Sequence, residues 1–201
     1  MSVVKLVMWV FAAYIIGNIS PSILLGKAQG IDIKKEGSGN AGTTNALRVL
    51  GKKAAVITLV IDIMKGFAAV SAGMYFGSYL TGTVCALAVF CGHIWPCFYR
   101  FKGGKGVATA FGAILAVNWQ LALMELAVVA IGLLVSKRMS VGSILGAALF
   151  PLLCLWLEPG FLKIGCVMAL IVVIKHRANI RRLIKGEEPK MFAKKEENNE
   201  K

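Results

Sequence analysis

The chain has 201 residues, 57% of them hydrophobic and 16% charged, with a mean hydropathy of +0.72. Soluble domains sit at roughly 45–50% apolar, so a water-soluble globule of this size is excluded and most of the surface must face lipid. The 23 Lys and Arg against 10 Asp and Glu give a net charge of +13, which fits basic loops against anionic lipid and, without an aromatic-basic module, argues against nucleic acid as a partner.

Residues 3–25 are apolar apart from Lys5, Asn18, Ser20 and Ser22, and a crossing helix needs about 20 residues. No small-residue cleavage site precedes Lys27, so the run reads as a first transmembrane helix rather than a signal peptide. Residues 26–53 are polar and basic. A second span is predicted over 54–76, interrupted by Asp62 and Lys65, and a third over 80–99, ending in His93-Ile94-Trp95-Pro96. The basic turn Arg100-Phe101-Lys102-Gly103-Gly104-Lys105-Gly106 follows. Residues 107–135 are too long for one span and short for two, so a turn is expected at Asn118-Trp119-Gln120 between two short helices that cross fully or partly. Lys137-Arg138 closes that pair. Spans over 141–157 and 161–174, separated by Glu158-Pro159-Gly160, complete the apolar sequence.

The predicted fold is an all-α integral membrane bundle of seven transmembrane or partly crossing helices, one polytopic domain over 1–189 with a charged, disordered tail over 190–201. With the N-terminus outside, 20 of the 23 basic residues fall on one side, and only Lys5, Lys65 and Lys163 lie elsewhere. The positive-inside rule makes that side the cytoplasm and places the C-terminus there. No internal repeat suggests an inverted-repeat transporter. Cys85, Cys91, Cys97, Cys154 and Cys166 form no C-x-x-C pair and read as small apolar residues. Cys91, His93 and Cys97 lack a fourth ligand for zinc, so neither metal nor cofactor is expected.

Three polar stretches share the basic side. Gly37-Ser38-Gly39-Asn40-Ala41-Gly42 matches G-x-G-x-x-G, but a dinucleotide fingerprint needs a strand before it and a helix after it, and this one lies between membrane spans. Its local physics still suits an anion. Glycines turn backbone N–H groups outward, Ser38, Asn40, Thr43, Thr44 and Asn45 add side-chain hydrogen-bonding groups, and Arg48 adds a permanent bidentate cation. The plainer reading is a flexible loop with a helix cap at Thr43 or Thr44. Lys102-Gly103-Gly104-Lys105-Gly106 is not a P-loop, because Gly106 stands where Ser or Thr is required. It is a glycine turn opening a helix, with Lys105 beside exposed N–H groups, or simply a basic interhelical turn. His176 and Asn179, spaced i to i+3, share a helix face, among Arg177, Arg181 and Arg182; the alternative is a basic helix lying on headgroups. Asp62 and Lys65 form a neutralising pair within a span. Glu125 reads as interfacial and His93 as structural support.

Taken together, these stretches resemble the bacterial acyl-phosphate:glycerol-3-phosphate acyltransferase family, PlsY. The matching residues are Gly37 to Asn40 with Gly42, Thr44, Asn45 and Arg48; then His93 with Pro96 and Phe101 through Gly106; and last His176, Arg177, Asn179 and Ile180. The chain departs from the family pattern at Ala41, Thr43 and Ala178, where proline, alanine and an acidic residue are usual. The resemblance implies transfer of a fatty acyl group from acyl phosphate to the 1-hydroxyl of glycerol 3-phosphate, giving lysophosphatidic acid and phosphate, at the cytoplasmic side of the bacterial inner membrane. It implies phosphate binding by Ser38, Gly39, Asn40, Gly42, Thr43, Thr44, Asn45, Arg48, Lys105 and the N–H groups of Gly103 and Gly104, and orientation of glycerol 3-phosphate by His176 and Asn179. The proton acceptor is either His176 or the departing phosphate. The implied partners are the two substrates and membrane lipid, with no obligate protein partner. The rival readings are a transporter or channel for an anionic phosphorylated metabolite, and a CDP-alcohol phosphotransferase, which lacks its aspartate-rich metal motif here.

Overall fold

The computed structural model describes residues 2–191, which contain ten α-helices and no strand. The outer part of the predicted tail, 192–201, lies outside the described residues.

The first apolar run is two helices rather than one. α1 (Val3–Gly17) stops at Asn18, whose Nδ2 donates to the Tyr14 carbonyl at 2.7 Å, and α2 (Pro21–Ala28) restarts with proline in its first turn. Proline has no N–H and pushes the residue before it to extended backbone, and Ser20 sits there at φ −119° and ψ 92°. The break leaves the Ile19 carbonyl available, and Lys65 Nζ donates to it at 2.6 Å. After the loop 29–42 and the short α3 (Thr43–Val49), α4 (Lys52–Phe76) and α5 (Tyr79–Ile94) run through the bundle. α5 is the central helix: Cys85, Ala86, Val89, Phe90 and Ile94 are fully buried on it.

α6 (Val107–Val117) and α7 (Trp119–Ser136) meet at Asn118, whose Oδ1 accepts the N–H groups of Gln120 and Leu121 at 2.9 and 3.1 Å. The predicted turn is thus an N-cap. The expectation of two short helices holds only for α6. Its 11 residues rise about 16 Å, half a hydrocarbon core, whereas α7 has 18 residues. α8 (Met139–Leu157), α9 (Leu162–Lys175) and α10 (Arg177–Ile184) complete the chain. Five helices are long and apolar enough to cross a membrane, counting Val3–Ala28 across its break, and α9 with α10, bent by 53°, makes six. Phe11, Leu134, Val135, Leu152 and Trp156 point outward from them, as side chains solvated by lipid do.

Glycine sets how closely these helices cross. Gly66 of α4 lies against the Thr109 carbonyl of α6, and Gly112 of α6 against the Ile63 carbonyl of α4. A Cβ at either position would sit inside contact distance of a backbone atom, which cannot rotate away. Membrane helices without a hydrophobic drive between them rely on such close packing. Gly112→Ala is therefore expected to lower stability by about 1–3 kcal/mol, read as a fall in the unfolding midpoint of the detergent-extracted protein.

Candidate active site

Four chain segments meet at one end of the bundle: the loop 29–42 with α3, the turn 100–106, the α7–α8 turn, and the α9–α10 junction with the strap 186–191 that follows it.

The first loop is held from within by Asn45. Its Oδ1 accepts the Ser38 N–H at 2.8 Å, and its Nδ2 donates to the carbonyls of Ile33 and Glu36 at 3.1 and 3.0 Å. Gly37, at φ +60°, lets the loop close over that amide, and any side chain there would run into it. Beneath lie Ile23, Ile33, Ala41, Ala46 and Ala55, a small apolar cluster separate from the main core. Lys34 pins the loop to the neighbouring turn, donating from Nζ to the Tyr99 carbonyl at 3.1 Å. Asn45 lines the cavity, yet its amide is committed to the loop and not to a ligand. Gly39 lies outside the cavity, its N–H donating to the Glu36 carbonyl at 3.0 Å.

The turn 100–106 also differs from expectation. The N–H groups of Gly103 and Gly104 donate to the carbonyls of Ile94 and His93 at 3.1 and 3.2 Å. The last carbonyls of α5 would otherwise be orphaned, so these donors cap a helix and do not face a phosphate. Neither glycine lines the cavity. What the turn delivers is Lys105. Gly104 packs against the His93 imidazole and the Ala41 carbonyl, which brings this turn and the first loop side by side.

Lys105 Nζ donates to Asn179 Oδ1. Asn179 Nδ2 donates to Glu188 Oε1 at 2.6 Å, the Ser140 hydroxyl donates to the same oxygen at 2.7 Å, and Arg182 Nε donates to Glu188 Oε2 at 2.7 Å. Glu188 is 6% exposed. Burial raises its pKa, but the hydrogen bonds from Ser140, Asn179 and Arg182, together with the guanidinium charge, outweigh burial and hold the carboxyl below its usual range. The strap carrying it is fastened to the α7–α8 turn, with Arg138 Nε donating to the Glu188 carbonyl at 2.8 Å and the Met191 N–H to the Lys137 carbonyl at 2.9 Å. Glu188 and Ser140 were missed in the sequence. The one local signal is Gly186, at φ +73°, which ends α10 and turns the chain back.

His176 lies between α9 and α10, its Nδ1 at 2.8 Å from the Val172 carbonyl. A carbonyl only accepts, so Nδ1 carries the hydrogen and Nε2 the lone pair. Burial, reinforced by the Lys105 charge, pushes the imidazole pKa down to about 4, leaving the ring neutral at physiological pH. Burial likewise pushes Lys105 down to about 8; Glu188 opposes that shift, and Arg182, Arg48 and Lys175 add to it.

These groups open onto a cavity of about 460 Å³. Ser38, Asn40, Gly42, Thr43, Thr44, Arg48, Lys105, His176 and Asn179 line its polar end; Ile63, Phe111, Ile114, Val129, Phe150 and Met168 line the rest. Thr43 Oγ1 is buried without a protein partner among the described residues, and Arg48 has no ion-pair partner among them. No side-chain cap is made by Thr43 or Thr44, since Gly42 occupies the N-cap of α3.

Asp62, Lys65 and His93 form one buried group beside the cavity. Lys65 Nζ is 2.7 Å from Asp62 Oδ1 and 2.9 Å from His93 Nδ1. With the Ile19 bond, this group ties α4 and α5 to the break between α1 and α2. Glu125 is not interfacial as expected. It lines the cavity, and its Oε2 is buried without a partner among the described residues.

A sequence profile of the family described as glycerol-3-phosphate acyltransferase matches residues 7–186. The glycerol-3-phosphate acyltransferase of Clostridioides difficile is 42% identical over 195 residues, covering 92% of this chain and 94% of that protein. That of Trichlorobacter lovleyi is 42% identical over 188 residues, covering 92% and 97%. Among solved structures, the glycerol 3-phosphate form of PlsY (YgiH), an integral membrane glycerol 3-phosphate acyltransferase, superimposes with a TM-score of 0.88 at 33% identity, over 92% of this chain and 95% of that one. Its lysophosphatidic acid form gives 0.85. Sequence and fold agree along almost the whole described length, and the chain belongs to the glycerol-3-phosphate acyltransferase family of multi-pass membrane enzymes.

Proposed function

We propose that this chain moves a fatty acyl group from acyl phosphate to the 1-hydroxyl of glycerol 3-phosphate, releasing lysophosphatidic acid and inorganic phosphate. The observation that carries the reading is a single cavity with Arg48, Lys105 and His176 at one end and an apolar lining at the other. Both substrates are phosphorylated and one carries a fatty chain, so the site must gather cations and donors at one end and offer an apolar wall to the chain at the other. In this reading Arg48, Lys105, Ser38 and Thr43 take the phosphates. His176 Nε2 accepts a hydrogen bond from the glycerol hydroxyl, and Asn179 steers Lys105.

The hydroxyl oxygen attacks the acyl carbon, the carbon–oxygen bond to phosphate breaks, and phosphate leaves with the bonding pair. Burial and the Lys105 charge disfavour a protonated His176 ring, whereas the departing phosphate gains a basic oxygen as its bond to carbon breaks. The proton therefore goes to the departing phosphate, with His176 holding the hydroxyl in line. A neutral ring also avoids placing a third charge against Lys105 and Arg48. A transporter of anionic metabolites is the weaker reading, because the cations gather at one end instead of marking a path through the bundle.

The reading includes seven apolar segments, α6 crossing partway, with the N-terminus outside and the site on the cytoplasmic face of a bacterial inner membrane. The bonds joining Lys34 to Tyr99, Lys105 to Asn179 and Arg138 to Glu188 support one basic face, and the positive-inside rule supports its side.

Removing either phosphate-facing cation removes a charge-assisted contact worth about 1.5–3 kcal/mol. Arg48→Ala and Lys105→Ala are each expected to lower kcat/KM by about 10–150-fold, measured with an acyl phosphate and labelled glycerol 3-phosphate, while extraction as folded protein is unchanged. Near-normal turnover in either variant would sink the assignment. In the free enzyme the Lys105 ammonium is present below pH 8 and lost above it. Accordingly kcat/KM falls above about pH 8, and Lys105→Arg moves that limb beyond the accessible range because a guanidinium keeps its proton. Glu188→Ala leaves Asn179, Ser140 and Arg182 without their shared acceptor. A loss of at least about tenfold in kcat/KM, with a lowered unfolding midpoint, is the expected result.

A further inference from the structure

Besides Asp62 and His93, the cavity is lined by one more ionisable group that the acyl-transfer reading does not use. Glu125 lies on α7 next to Leu126 and Val129, with Ala147 and Phe150 of α8 lining the same stretch. Its Oε2 is buried and has no partner among the described residues. Opposite stands Gly146 of α8, where any added Cβ would meet the Glu125 carboxyl. The facing helix is cut away to make room for a carboxyl whose Oε2 finds no protein partner among the described residues.

Depth follows from helix geometry. At a rise of about 1.5 Å per residue, Gly146 lies roughly 9 Å along α8 from Ser140, and Ser140 bonds Glu188 at the phosphate end. A fatty chain joined to a phosphate at that end passes Glu125 partway along its length. A buried carboxyl needs a hydrogen-bond partner, which water in the cavity can supply and methylene groups cannot. Beside it, Leu59 of α4 and Leu126 of α7 line the cavity and are 40% and 46% exposed.

We propose that Glu125 is a specificity-determining residue that selects acyl donors by chain length. A chain that ends before the carboxyl leaves its hydration undisturbed. A longer chain must strip that hydration or bend away from the carboxyl, and it gains less from each further methylene. The inference rests on the acyl-transfer reading above, and it places the discrimination in α7, away from Arg48, Lys105 and His176.

The test is the ratio of kcat/KM for a long acyl phosphate of about 16 carbons to that for a short one of about 8, in the full-length protein. Glu125→Leu is expected to raise the ratio about four- to fifteenfold, the worth of one or two methylenes newly buried. Glu125→Gln keeps the shape and polarity and should keep the wild-type ratio; Glu125→Met replaces the leucine variant if the latter cannot be extracted folded. An unchanged ratio in an active apolar variant overturns the proposal. So does an equal loss at both lengths in all variants, which marks a packing role against Gly146. Absence of lysophosphatidic acid from wild-type protein with either chain would overturn the acyl-phosphate reading itself, and this inference with it.

Discussion

Lipid offers no hydrogen bonds, so every backbone group that leaves helical geometry within the membrane must be satisfied by protein. The structure meets that constraint where its helices are interrupted. At the break between α1 and α2, the ammonium of Lys65 takes the Ile19 carbonyl. At the end of α5, Gly103 and Gly104 take the carbonyls of Ile94 and His93. The two repairs are joined, because Lys65 also meets His93 and Asp62. Irregular backbone is what lets Lys105 and the first loop reach a common cavity, and the ion group at its side makes that irregularity tolerable in a bundle of apolar helices.

The chemistry depends on a division of labour among groups that look alike in sequence. Asn45 and Asn179 are both amides at the polar end, yet one stitches a loop together and the other links a lysine to a carboxylate. Among the glycines, Gly103 and Gly104 cap a helix, while Gly37 closes a turn over Asn45. The groups left for ligands are side chains: the guanidinium of Arg48, the ammonium of Lys105, the hydroxyls of Ser38 and Thr43, and the imidazole Nε2 of His176. In the proposed reading the phosphate site is built from side chains held by a backbone that serves the helices first.

Much of this architecture was legible from hydropathy, since runs of apolar residues and clustered Lys and Arg report spans and a common face directly. The Asn118 turn was readable because an amide before an apolar run is a capping signal. The division of the first span was not read, although Ser20-Pro21 carried it: apolar residues on both sides gave a continuous run. Glu188 was hidden for a different reason. It stands in a charged segment whose composition reads as solvated, and only the return of the chain over the α7–α8 turn buries it. Glu125 was misplaced because a lone acid near a helix start suggests an interface, whereas the notch at Gly146 admits it to the interior. Periodicity can mark faces, but contacts between distant segments do not appear in it.

The strap that carries Glu188 follows all ten helices in sequence. On a ribosome the spans therefore emerge and can insert before the carboxylate that organises Asn179 and Lys105 exists. Insertion of the bundle and completion of the Glu188 network are therefore separable in time, since a nascent chain can be embedded in the bilayer before its last turn has folded back.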